Sequence, residues 1–268
     1  DNAQANWLTE AGTTFSKATL ELPFNVAPGA RTVQTFKTFV GPKEYKLLEA
    51  ENTGLEEAIE FGVFAFLAQP SLTVLNFFKS YVANYGLAII ILTVIIKIVF
   101  YPLTAHSLKS MKEMQKVQPQ LLAIREKYKD NKEKLNKEMM ELYKRYKINP
   151  LGGCLPMVLQ IPVFLALYEV LYVAIELRQA PFFLWITDLS EKDPYYISPI
   201  LMGATMFIQQ KMTPTTADPM QAKIMLLMPA IFTVMFLSFP SGLVIYWLVN
   251  NVLAIAQQYY VQRGAARA

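Results

Sequence analysis

LAIIILTVIIKIVF, residues 87–100, is apolar at every position except Thr93 and Lys97. With its flanks, 86–105, it reaches the roughly 20 apolar residues that a bilayer core requires, which predicts a membrane-crossing helix. Lys97 tests that reading. A lysine at mid-helix costs about 2.5–3.5 kcal/mol, whereas each Leu, Ile, Val or Phe contributes about −0.3 to −0.6. The twelve such residues in 86–105 sum to roughly −4 to −7 kcal/mol, so the segment still inserts. A charge that is about 3 kcal/mol worse than leucine marks a functional position by default. Two blander readings stand beside it. The ammonium could snorkel, although it lies about 12 Å from the inner end of its span and its stem covers about half of that. It could also pair with Glu169 or Glu176, which fall toward the opposite end of the next apolar segment.

The rest of the chain agrees with a membrane protein. Of 268 residues, 53% are hydrophobic and 17% charged, too apolar a balance for an ordinary soluble domain. A single cysteine, Cys154, excludes an internal disulfide, and the single histidine, His106, leaves too few ligands for a zinc site, so no cofactor is expected. The chain starts at Asp1 without a cleavable signal pattern. It reads as a fragment whose N-terminus and any targeting segment lie upstream.

Five candidate spans follow from the apolar pattern: about 86–105, 153–177, 195–212, 223–239 and 242–261. Pro156, Pro162, Pro199 and Pro229 fall in or near them, tolerable where neighbouring helices or water satisfy the freed backbone groups. Before the spans, residues 58–84 contain a helical stripe of Leu72, Leu75, Phe78 and Val82 opposite Thr73, Asn76, Ser80 and Asn84. That pattern predicts an amphipathic helix lying in the membrane interface. Residues 1–57 carry the β-like signals. Leu20, Leu22, Phe24 and Val26 alternate, and the turn-like Ala27-Pro28-Gly29 leads to a second β-prone run at 32–40. Two strands alone make no stable sheet, so this region reads as the C-terminal remnant of a larger β-domain.

Charge orients the spans. Residues 106–150 carry twelve basic and six acidic side chains, and residues 1–60 carry five and nine. The positive-inside bias places the 106–150 segment and the tail 263–268 in the cytoplasm and residues 1–84 outside. Within 106–150, two apolar series run in steps of three and four: Met114, Val117, Leu121, Ile124 and Tyr128, then Leu135, Met139, Leu142 and Tyr146. With Asp130-Asn131 as the turn, they predict an antiparallel helical hairpin, kinked or started near Pro119. A connector needs far fewer residues, which points to docking; a solvated linker is the alternative.

Polar residues recur inside the spans. Thr93 and Thr104 share a helical face with Lys97, and Gln160, Ser198, Thr205, Gln209, Gln210, Asn250, Asn251 and Gln257 come from the others. Singly, such residues are interhelical hydrogen-bond partners; with an unpaired cation they point to a wet cavity within the bilayer. Methionines cluster at Met202, Met206, Met212, Met220, Met225, Met228 and Met235, either as packing or as a surface for varied apolar partners. Enzymatic readings find no support. His106 and Ser241 fall at opposite boundaries, too far apart for a serine protease. No glycine-rich loop ends in Gly-Lys-Ser/Thr, and the basic segment carries no specific nucleic-acid motif.

The runs YGLAIIILTVIIK and YPLT, NPLGGCLPMVLQIPVFLALYEVL, ELRQAPFFLWITDLSEKDPYYISPILMGATMFIQQKM, TADPMQAKIMLLMPAIFTVMF and FPSGLVIYWLVNN resemble the YidC family of bacterial membrane protein insertases over about residues 61–262. FVGPKEYKLLE resembles the end of the periplasmic β-domain of the Gram-negative form. The resemblance implies an all-α membrane protein with five transmembrane helices around a hydrophilic groove, plus the cytoplasmic hairpin, the interfacial helix and the short β remnant. Its core would occupy 85–262. The implied substrate-binding set is Lys97, Thr93, Gln160, Gln210, Tyr246, Trp247 and Asn250, with no catalytic or metal residue. Lys97 stands where the family has an arginine; the charge is kept, and the fixed fork of guanidinium donors is not. The implied activity is insertion of nascent membrane proteins into the bacterial inner membrane without covalent chemistry. The hairpin 106–150 would meet the ribosome and targeting components, with the Sec translocon as a further candidate partner. A solute transporter would require internal repeats, and none is evident; an assembly scaffold would be indifferent to Lys97.

Overall fold

A computed structural model describes residues 4–9, 16–21, 26–33, 35, 39–146, 148, 155–213 and 219–264. It divides into two units, Asp1–Gly41 and Pro42–Ala268. In the first, strands β1 (Gln4–Thr9) and β2 (Ser16–Glu21) pair antiparallel, from Gln4 opposite Glu21 to Thr9 opposite Ser16. This corrects the expected pairing. Leu20 lies in β2, Leu22 and Phe24 fall outside the described residues, and Val26 is in no strand. Ala30 N–H donates to Ala27 O at 3.0 Å and closes the expected turn, yet the described residues of 32–40 form no strand. The partner is upstream, in QANWLT, whose mixed polarity carries little β signal of its own. Strand pairing is set by the available partner edge rather than by one segment's propensity.

The second unit is helical: α1 (Tyr45–Ala50), α2 (Ala65–Val82), α3 (Tyr85–Lys127), α4 (Lys132–Arg145), α5 (Leu155–Val173), α6 (Ile197–Met212), α7 (Pro219–Phe236) and α8 (Ser241–Gly264). Four of the five expected spans coincide with α5 to α8 within a few residues. The first does not end near 105, because α3 continues through Pro102 and Pro119 as one helix into the hairpin. Proline removes a single backbone bond, and flanking turns with good helix formers carry the helix across. Of the described helices, α3 alone is both long and apolar enough to cross a membrane, and most of its apolar stretch is not buried within the protein.

Asn84 caps α3, its Oδ1 accepting from Leu87 N at 3.1 Å, while its Nδ2 donates to Phe182 O at 3.0 Å. A side-chain cap of this kind satisfies one of the amides that a helix start leaves free. Leu72 and Leu75 of the stripe are buried within the protein, where α2 packs on α3 and α5, rather than left for a membrane interface. Val63, Phe66, Phe77 and Tyr81 remain exposed. α8 lies between α3 and α6, and α7 packs on α6. At Gly203 of α6 a Cβ would overlap Thr233 of α7, the close backbone approach that small residues permit between helices.

The hairpin forms as expected. Val117, Leu121, Leu142 and Ile148 make its core, with Met114, Ile124, Met139 and Tyr143 packed around it. Asn131 Oδ1 caps α4 by accepting from Lys134 N at 3.0 Å. Tyr146, expected in the core, is exposed, and its hydroxyl accepts from Gln120 Nε2 at 2.9 Å. Tyr143 takes the core position instead, and burial raises its phenol above the ordinary range.

Candidate functional site

Two contacts set the register of α3 against α8. A Cβ on Gly242 would lie 3.3 Å from Ile89 Cδ1, and Gln257 Nε2 donates to Thr104 Oγ1 at 2.7 Å. Both pairs are separated by 153 positions, so the two helices run parallel without slippage over about 22 Å. The same holds for α6 and α8. Asn251 Nδ2 donates to Thr205 Oγ1 at 3.3 Å and Gln258 Nε2 to Met212 O at 2.7 Å, 46 positions apart each time.

These registers sort the predicted site residues by depth. Thr93 is level with Tyr246, and Lys97 with Asn250. Gln210 lies about 9 Å nearer the hairpin, some six residues of rise beyond Lys97, so the set expected as one site is spread along the bundle.

The Thr93 layer is closed. Thr93 is fully buried and donates to Ile89 O at 2.7 Å. Gln160 Nε2 of α5 donates to the hydroxyl of Tyr246, also fully buried. Trp247 stands beside them with its ring 5.0 Å from Phe164, 5.3 Å from Phe236 and 6.1 Å from Phe232. Gln160 and Tyr246, read separately from the sequence, are thus each other's partner, and an aromatic cluster ties α5, α7 and α8 together.

One turn further along, the pattern changes. Lys97 is half-buried and Asn250 is 8% exposed. Among the described residues neither makes a hydrogen bond or ion pair. The alternative pairing with Glu169 or Glu176 is absent; Glu176 Oε1 accepts from Tyr45 N at 3.2 Å. Two turns beyond, Thr104 and Gln257 are paired again. An unpartnered cation and an unpartnered amide therefore share one depth between two satisfied layers. Polar groups that spend no bond within the bundle are available to water or to a ligand. Among the described residues no group of side chains could hold a metal ion.

At the opposite end of the bundle the segment between α5 and α6 is tied to the start of α8. Ser241 N donates to Glu191 O at 2.7 Å, Gly242 N to Leu189 O at 2.9 Å and Ser241 Oγ to Asp188 O at 2.9 Å. Asp193 is fully buried and accepts from Tyr195 N at 2.9 Å, Ser198 N at 2.8 Å and Ser198 Oγ at 2.6 Å. Burial alone would raise its carboxyl, but these donors outweigh it and hold the group below the usual carboxylate range; the Trp185 indole N–H, buried without a bonded partner, adds to the same field. Asp193 was missed in the sequence. Its signal was an Asp-Pro turn four residues before a helix start.

The chain has clear relatives. The model of the 60Kd inner membrane protein family matches residues 77–267, and that of the YidC periplasmic domain matches residues 1–74. The membrane protein insertase YidC of Syntrophus aciditrophicus is 60% identical over 260 residues, covering 96% of this chain and 48% of that protein. That of Geobacter sulfurreducens is 60% identical over 248 residues, covering 92% and 46%. The crystal structure of an active YidC insertase with its first transmembrane domain resolved aligns at a TM-score of 0.63 and 26% identity, over 82% of this chain and 54% of that one. The chain thus spans about half the length of the curated relatives it matches.

Proposed function

The chain belongs to the 60Kd inner membrane protein family, the family of the YidC membrane protein insertases, and from that premise we propose that it inserts nascent membrane proteins into the inner membrane. The bundle half of α3, with α5, α6, α7 and α8, forms five spans. Their exposed apolar side chains, among them Ile98, Val158, Ile200, Val234 and Val252, form a surface that only lipid would cover without penalty. The hairpin lies in the cytoplasm and receives substrate from the ribosome and targeting components, with the Sec translocon as a further partner. α2 rests at the periplasmic interface, its exposed Phe66, Phe77 and Tyr81 in the headgroup region that aromatic rings favour.

Insertion then proceeds by capture and release, without covalent chemistry. The polar end of a substrate enters a hydrophilic groove from the cytoplasm past Gln210 and is held at Lys97, level with Asn250, while Thr93, Gln160, Tyr246 and Trp247 form the floor beyond it. Its apolar segment moves along α5 and α7 into lipid, driven by its own burial. The observation that carries this reading is the ammonium of Lys97 without a partner among the described residues, between two paired layers. The test is site-specific photocrosslinking from position 97 to a ribosome-stalled membrane protein. Adducts at the substrate's polar end are expected. A chain that is inserted efficiently yet never crosslinks from position 97 would refute the capture role.

A further inference from the structure

The segment between α5 and α6 presents apolar side chains that the fold itself leaves uncovered. Its residues 179–187, QAPFFLWIT, carry no charge. Phe182 N donates to Ile186 O at 2.9 Å and Ile186 N to Phe183 O at 3.2 Å, closing a tight turn with Leu184 and Trp185 at its corner. Leu184 takes a φ of 55° there, a left-handed conformation that disfavours a bulky side chain and ordinarily falls to glycine or asparagine. The residues on either side are packed inward: a Cβ on Gly86 would overlap the Phe182 ring, and Ile186 is buried. Phe183 and Leu184 are instead 52% and 86% exposed. A backbone held in a strained shape that presents two large apolar side chains calls for an apolar partner.

The depth of this tip identifies the partner. Asn84 Nδ2 donates to Phe182 O at 3.0 Å, and Gly86 abuts the same ring, so the turn is fastened to the first residues of α3. From Leu87 onward α3 is the apolar helix long enough to cross a membrane, and its first turn marks the outer edge of the hydrocarbon. The exposed Phe77 and Tyr81 of α2 lead into the same boundary, a depth that aromatic rings favour. Water would penalise Phe183 and Leu184 there, and the upper acyl chains would not.

We infer that the Phe183–Leu184 tip is an interfacial anchor, inserted in the outer leaflet between headgroups and upper acyl chains, which through Asn84 and Gly86 holds the start of α3 at that depth. Its ligand is the lipid surface, taken by apolar contact alone, because the turn has no charge with which to select a headgroup. The inference rests on the five-span reading above and is independent of capture at Lys97.

The experiment places a fluorescent amino acid at position 184 of the full chain in vesicles and compares quenching by nitroxides attached high and low on the lipid acyl chain. Stronger quenching by the high nitroxide is expected, equally in phosphatidylcholine alone and with anionic phosphatidylglycerol added. Phe183→Asp should abolish that quenching and open the probe to aqueous iodide. The same probe at position 98, an exposed site about 21 Å along α3 from Asn84, should respond more to the low nitroxide. Photocrosslinking from position 184 in an otherwise unaltered chain gives a readout independent of how the variant folds, and phospholipid adducts are expected. Adducts to protein alone, or quenching that requires the anionic lipid, overturn the assignment. A probe quenched at 98 but not at 184 overturns the anchor and leaves the spans standing; quenching at neither position brings down the five-span reading as well.

Discussion

Asp193 and Lys97 are two charged side chains withdrawn from solvent in the same helical unit, and they are treated in opposite ways. Asp193 accepts three hydrogen bonds within 2.9 Å from the first turn of α6 and the residues before it. Lys97 receives nothing from the described residues around it. Desolvating a charge is costly in either place, so the difference is one of purpose. The carboxylate before α6 is compensated within the fold, by amides that a helix start leaves free. The ammonium at mid-bundle has no such compensation among the described residues, and in the proposed function its partner is the arriving substrate.

The largest effect should come from reversing the waiting charge. Lys97→Glu is expected to reduce insertion of substrates with acidic segments a hundredfold or more, since a unit charge about 4 Å away is worth about 4 kcal/mol at an effective dielectric of 20. Lys97→Arg should preserve it, and equal insertion by the Glu variant would end the contrast drawn here. Removing the compensated charge should instead strike the fold. Asp193→Ala is expected to lower stability by about 2–4 kcal/mol, because buried donors lose a charged acceptor, read as a lower melting temperature in detergent. The pH dependence follows from the same depressed carboxyl. Its contribution is complete above the ordinary carboxylate range and is lost as the pH falls through the lower folded value. Melting between pH 5 and about 2 should therefore fall less steeply in Asp193→Asn.

A smaller effect tests the register itself. In Gly242→Ala the new methyl would lie 2.8 Å from Leu171 Cδ2 and 3.2 Å from Leu189 O. It should cost about 1–3 kcal/mol and shift α8 against α3, a shift that crosslinking between positions 104 and 257, bonded in the parent chain, would detect. The smallest effect marks the limit of the comparison. Lys116 and Glu113 form an exposed ion pair at 2.8 Å on the hairpin, and Lys116→Ala should change stability by less than about 1 kcal/mol.

Much of this was visible in the sequence, and unevenly. The helices α5 to α8 and the hairpin core of Val117, Leu121 and Leu142 were legible because apolar spacing is a local signal. Continuity of α3 through Pro102 and Pro119 was not, since a proline reads as a stop unless neighbouring turns carry the helix past it. The partner of β2 was hidden in QANWLT, where nothing local announces a strand. Among the site residues, Lys97 stood out by chemistry alone. Gln160 and Tyr246 were noticed, but their bond to each other was not, since their positions are 86 apart.

Hydropathy by itself determined that this chain is helical and apolar, and that one lysine sits where a lysine is costly, because insertion energy accumulates residue by residue along a single segment. Only the packed bundle decided what shares a depth with that lysine. Contacts 153 and 46 positions apart bring Asn250 level with it, carry Gln210 away and close the Thr93 layer. Depth along neighbouring helices is a relation between distant segments, and no periodicity within one of them encodes it.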